Sequence, residues 1–149
     1  MANLVTSAPI PTASLDAEFT RADIEFHGLD HSGATYEGRV FLNRADASEQ
    51  TPRDVPEYAG SYFVFGHGGC LGDPGHCDAT PRRFYDPRSA HPLTPIVKVV
   101  IATAALRRAK AGSDQLTVTV VPVLLATNKA VGEPQDLVLY EQVRIVTYR

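Results

Sequence analysis

Apolar and polar side chains alternate along residues 22–27 (ADIEFH), the pattern of a strand with one buried face. Residues 28–33 then supply glycine and other turn formers before residues 36–43 (YEGRVFLN) alternate again, which predicts a hairpin with His27 and His31 at its connection. Residues 58–65 (YAGSYFVF) combine aromatic and β-branched side chains, and residues 95–101 (PIVKVVI), 116–123 (LTVTVVPV) and 137–148 (LVLYEQVRIVTY) read as further strands, the last as one or two. Residues 102–111 (ATAALRRAKA) break this rhythm with strong helix formers, Thr103 placed as a candidate cap and Gly112 as a stop.

Six to seven strands and one short helix predict an all-β fold, an antiparallel β-sandwich or flattened barrel. Residues 1–17 mix Pro, Ser, Thr and Ala without periodicity and read as a flexible arm, leaving residues 18–149 as a single domain. Residues 44–57 turn polar, with Pro52 and Pro56, and read as a surface loop. Pro81, Pro87, Pro92 and Pro95 leave little room for regular structure in the stretch before residue 96. An irregular segment of that length inside a small domain usually carries function or covers something.

The chain has 149 residues, 44% hydrophobic and 21% charged, and a formal net charge of -3. This is ordinary globular composition with no electrostatic case for nucleic acid, and no stretch is apolar for the length of a membrane span. The first residues lack the basic and apolar regions of a signal peptide, so a cytoplasmic location is the expectation. In that reducing compartment the two cysteines are expected as thiols or ligands rather than as a stable disulfide.

Both cysteines fall in one run, residues 66–78 (GHGGCLGDPGHCD), with two of the five histidines. His67, Cys70, His76 and Cys77 offer imidazole nitrogen and thiolate sulfur, the donors that zinc and copper prefer, on a glycine-rich loop able to turn several side chains toward one centre. The run lacks paired C-x-x-C spacing, and the adjacent His76 and Cys77 do not easily face one ion. The bland alternative is a surface loop tied by a link between Cys70 and Cys77. His27 and His31 flank the predicted turn and are candidates to complete a site with His67 or His76, and His91 is a weaker one. Three histidines suit copper, zinc or iron, and a thiolate favours copper or zinc.

Residues 82–86 (RRFYD) with Arg88 are candidates to recognise an acidic or aromatic substrate, or else a solvated face. Tyr58, Tyr62, Phe63 and Phe65 are candidates to line a phenol-binding pocket, although strand alternation sends half of them into the core. No Ser-His-Asp order, phosphate-binding glycine motif or paired-carboxylate constellation is present.

Residues 36–43 (YEGRVFLN), 58–67 (YAGSYFVFGH), 104–108 (AALRR) and 116–122 (LTVTVVP) together resemble the C-terminal β-sandwich of the tyrosinase, polyphenol oxidase and molluscan hemocyanin family, over about residues 22–148. The resemblance implies a sandwich that shields or supports a neighbouring dicopper site. The resemblance implies a centre of three histidines for each of two coppers, six in all, more than the His27, His31, His67, His76 and His91 of this chain. The expectation is therefore a small metal-binding sandwich, most simply for copper, that is a mononuclear oxidoreductase acting on a small aromatic substrate, or a non-enzymatic module that loads or shields a separate tyrosinase-like oxidase, or a metal-free interaction sandwich. An exposed strand edge in so small a sandwich also makes a homodimer an expectation.

Overall fold

The structure is a computed structural model and describes residues 3–68, 77, 84–85, 87–88, 92–125 and 136–149. Six strands of six to nine residues form its frame: β3 (Arg21–Leu29), β4 (Tyr36–Leu42), β5 (Tyr58–Val64), β6 (Ile96–Ile101), β8 (Val118–Leu124) and β9 (Gln142–Tyr148). Three two-residue strands, β1 (Val5–Thr6), β2 (Ile10–Pro11) and β7 (Gln115–Leu116), and one helix, α1 (Thr103–Gly112), complete the described elements. All pairings are antiparallel, in sheets of order β1-β8-β4-β5, β6-β3-β9 and β2-β7. The all-β sandwich is thus as expected.

Alternation explains how the two larger sheets face each other. Ile24 and Phe26 of β3, Tyr36 and Val40 of β4, Tyr62 and Val64 of β5, and Val118 and Val120 of β8 lie in one buried cluster with Leu106 of α1. Burying such side chains contributes roughly 1.5–3 kcal/mol apiece before conformational entropy is set against it. A second, smaller cluster of Phe41, Ala47 and Val121 sits under the loop after β4.

Three expectations are corrected. Residues 22–27 and 36–43 do not form a hairpin, because β3 pairs with β6 and β9 while β4 pairs with β5 and β8. The segment between them crosses from one sheet to the other, and both strands bury a face in the same core. Residues 5–6 and 10–11, inside the expected flexible arm, pair with β8 and β7. Thr103 is the first residue of α1 rather than its cap, and its hydroxyl accepts the Ala22 N–H at 3.1 Å.

The sandwich closes where β5 and β6 meet. Gly60 has φ +135°, a region that L side chains avoid, and a Cβ there would stand 2.7 Å from Val100 Cγ1. The β4–β5 register shifts at the same place, between Val40 and Phe41. A bulge built on glycine therefore lets the edge strands of the two sheets approach.

The segment before β3 is held by charge. Asp16 accepts from Arg149 Nη2 at 2.8 Å and from the Thr147 hydroxyl at 2.9 Å. The Arg149 hydrogen bond, followed by that of Thr147, holds the Asp16 carboxyl below its usual value. A carboxylate with a depressed pKa in the folded state adds stability above its unfolded pKa and loses it as pH falls through the folded one. Asp16→Asn is therefore expected to be less stable than the wild type at neutral pH, with the two converging below about pH 4. Thermal melts of both proteins between neutral and acid pH check this, and a constant difference across that range counts against it.

No helix among the described residues is long and apolar enough to cross a membrane.

Candidate functional site

Three connecting segments converge at the end of the sandwich where β3 finishes, β5 finishes and β6 begins. After β3, Asp30 turns the chain by accepting the Ser32 N–H at 2.8 Å. The segment after β5 lies against this turn: Gly66 N–H donates to the Thr35 hydroxyl at 3.0 Å, His67 N–H to His31 O at 2.9 Å, and Gly68 N–H to Gly33 O at 2.7 Å. Gly66 is required by the closeness of this approach, since a Cβ there would stand 2.2 Å from Gly33 O and 2.3 Å from the Ala34 carbonyl carbon.

These contacts bring His31 and His67 together, their rings edge to face with centroids 4.9 Å apart. His31 Nε2 lies 2.7 Å from Thr94 O in the segment leading to β6. A carbonyl oxygen only accepts, so this nitrogen carries the proton and neutral His31 keeps its lone pair on Nδ1. Among the described residues, His67 Nδ1 is buried without a hydrogen-bond partner. The exposed Phe65 ring stands 5.6 Å from the His67 ring.

The structure separates His27 from this pair, directing its Nε2 to Glu25 Oε2 at 2.7 Å on β3. Cys77 is disulfide-bonded, so the expected free thiol at this position is not present. A disulfide sulfur offers no thiolate, and Cys77 becomes a metal ligand only after reduction. Its carbonyl accepts the Leu93 N–H at 2.8 Å. Cys70, His76 and His91 lie outside the described residues. Among the described residues no group of three or more His, Cys, Asp and Glu side chains is placed to hold a metal ion.

The proposed phenol-binding aromatics divide as alternation requires. Tyr62 is in the core and Tyr58 packs on Phe41 with ring centroids 5.4 Å apart, while Phe63 and Phe65 are exposed. Of residues 82–86, Phe84 and Tyr85 are described, both with large exposure.

A cleft of about 530 Å³ lined by Ala17, Glu18, Phe19, Thr20 and Arg149 was not foreseen. It lies beside the Arg21 end of β3, whereas the histidine pair follows the Leu29 end, roughly 25 Å away at strand rise. The cations around it are engaged within the chain: Arg107 donates to Phe19 O, Lys110 to the carbonyls of Asp16 and Ala17, and Arg149 to Asp16. The sequence carries no signal for it, because its walls join the irregular residues 17–20 to Arg149 at the far end of the chain.

No protein-family profile and no curated protein matches the chain. Among solved structures, latent aurone synthase (polyphenol oxidase) from natural source is similar at TM-score 0.55 and 17% identity, over 97% of this chain and 24% of that one. Recombinantly expressed latent aurone synthase co-crystallized with hexatungstotellurate(VI) is similar at TM-score 0.55 and 15% identity, over 98% of this chain and 24% of that one. The chain thus spans about a quarter of the length of these relatives, and the likeness is one of fold. The sandwich resembles part of a polyphenol oxidase. A dicopper centre does not fit its residues, since the five histidines are too few and the described ones divide between His27 and the His31–His67 pair.

Proposed function

We propose that this chain is a copper-handling accessory sandwich, a non-enzymatic module that binds a single copper ion at His31 and His67 and serves a separate tyrosinase-like oxidase by loading or shielding its copper site. The observation that carries the reading is the pairing of two imidazoles, one with a buried Nδ1 that has no hydrogen-bond partner among the described residues, at a sandwich end marked by exposed Phe65. Copper accepts imidazole nitrogen, and a metal at that nitrogen would satisfy an atom that is otherwise costly to bury. The fold likeness to a quarter of a latent polyphenol oxidase supports the accessory role. A second reading, a mononuclear oxidoreductase for small aromatic substrates, is favoured by the placement of Phe65 beside His67.

Copper titration of the untagged full chain tests the metal site. One copper per chain is expected, with affinity reduced on the order of 10–100-fold in His31→Ala and His67→Ala, at least the loss seen when a ligand's support is removed. His27→Ala, which removes a ring bonded to Glu25, is expected to bind as the wild type does. Absence of saturable binding sinks the copper reading. Adding the copper-loaded chain to a copper-free tyrosinase-like oxidase separates the two roles: restored oxidase activity supports the accessory module, whereas phenol turnover by the loaded chain alone supports the enzyme.

A further inference from the structure

The stretch that enters β6 reads Pro92, Leu93, Thr94, Pro95. Each proline fixes its own φ, and Pro95 also holds Thr94 extended, so this short segment is stiff and a shift at Leu93 is carried to Thr94. Neither proline has an N–H, which leaves few groups to tie the segment down. Among the described residues two hydrogen bonds do so: Leu93 N–H donates to Cys77 O at 2.8 Å, and Thr94 O accepts from His31 Nε2 at 2.7 Å. The acceptor at one end thus belongs to a cysteine, and the donor at the other end to an imidazole of the copper site.

Cys77 is disulfide-bonded, and the other cysteine of the sequence is Cys70. A crosslink restricts the backbone that carries it, here the carbonyl that holds Leu93. Cys77 is half-buried rather than sealed in the core, and a disulfide that solvent reaches is open to exchange with thiols.

We infer that the Cys77 disulfide is a redox switch on the His31–His67 pair, acting through Leu93 and Thr94. Its effect on metal rests on the copper reading above, whereas its effect on His31 does not. The reaction is exchange with a dithiol. A thiolate of the reductant attacks one sulfur and the S–S bond breaks; the second thiol of the reductant then closes its own disulfide, so the chain gains two electrons and two protons as two thiols. With the bond closed, Thr94 O holds the His31 proton on Nε2 and the Nδ1 lone pair stays available beside His67. With the bond open, the Cys77 carbonyl leaves Leu93, Thr94 O leaves His31, and the pair loses its fixed geometry.

The thiols made on opening are copper donors in their own right, so the imidazole site is read in Cys70→Ser/Cys77→Ser, which opens the bond without making a thiol. Hydrogen exchange of the full metal-free chain, oxidised, reduced with dithiothreitol and as the double variant, is the first measurement. Leu93 N–H and His31 Nε2–H are expected to exchange about tenfold faster or more once the bond is open, while Glu141 N–H, which donates to His27 O at 3.0 Å, is unchanged. Copper titration is the second, with affinity in the double variant about tenfold below that of the oxidised wild type. Equal exchange in all three forms overturns the inference, as does a change at Glu141 as large as that at Leu93, since the whole fold has then loosened. Copper bound equally by the oxidised wild type and the double variant also overturns it. If the double variant fails to fold, exchange in the reduced wild type decides. An oxidised chain that binds no copper, with Leu93 and His31 still responding to reduction, supports the switch and sinks the copper reading alone.

Discussion

Gly66→Ala is expected to destabilise the protein by about 3 kcal/mol and to abolish copper binding, with no ligand altered. A Cβ at this position meets the Gly33 carbonyl oxygen at 2.2 Å and the Ala34 carbonyl carbon at 2.3 Å. Backbone atoms cannot rotate away as a side chain can, so either the 66–68 segment or the 31–35 turn has to move. Movement breaks the Gly66 N–H bond to Thr35 and strains the His67–His31 and Gly68–Gly33 bonds that set the imidazoles together. Urea unfolding and copper titration read the two effects, and a loss of about 3 kcal/mol lowers the melting temperature by roughly 6–12 °C in a domain of this size. Gly33→Ala is the control. A Cβ there meets only Leu137 Cδ2, at the ordinary contact distance of 3.5 Å. A melting temperature for Gly66→Ala within a degree or so of that control sinks the account.

That contrast also marks what the sequence carries. Alternation located β4, β5, β6, β8 and β9 to within a few residues, because each strand sets one row of large apolar side chains into a shared core. It fixed the faces of β3 and β4 but not their partners, since the inward row reads the same in a hairpin and in strands packed across a sandwich. The turn-forming residues after β3 suit either connection. β1, β2 and β7 are two residues each, too short to show a period, and their pairing depends on β8 and α1 bringing distant chain beside them.

The site was legible in part for similar reasons. His67 was marked by a glycine-rich run directly after a strand, and His31 by its turn. Their meeting depends on hydrogen bonds from the backbone N–H groups of residues 66–68 to the carbonyls of His31 and Gly33 and the Thr35 hydroxyl, which no hydrophobic pattern encodes. His27 was grouped with His31 because the chain looked like a hairpin end there. It is instead a strand residue, and the β3–β6 register shifts after Phe26, before His31 is reached. A reducing compartment predicts a thiol at Cys77, whereas Cys77 is disulfide-bonded.

Phe26→Ala is expected to cost about 3–5 kcal/mol, a large share of the roughly 5–15 kcal/mol that holds a domain of this kind folded. Phe26 is fully buried on β3, with its ring 4.9 Å from that of Tyr62 and 5.5 Å from that of Tyr140, so truncation empties the contact between the two sheets. Few neighbours can collapse into the space, because Tyr62 and most of the core around Phe26 are strand side chains fixed by register. Tyr62→Phe is expected to behave differently. Burial pushes the Tyr62 phenol far above its usual range, with the nearby Tyr36 adding to the shift, yet among the described residues neither hydroxyl has a partner in good hydrogen-bond geometry. Removing a buried hydroxyl without a partner relieves its desolvation penalty, so stability should be unchanged or rise by up to about 1 kcal/mol. Urea unfolding of both variants is the measurement. A small loss for Phe26→Ala would mean that the core repacks, and a loss of about 2 kcal/mol for Tyr62→Phe would mean that its hydroxyl is bonded in solution. The pair of results therefore separates what shape contributes to this core from what its buried phenols contribute.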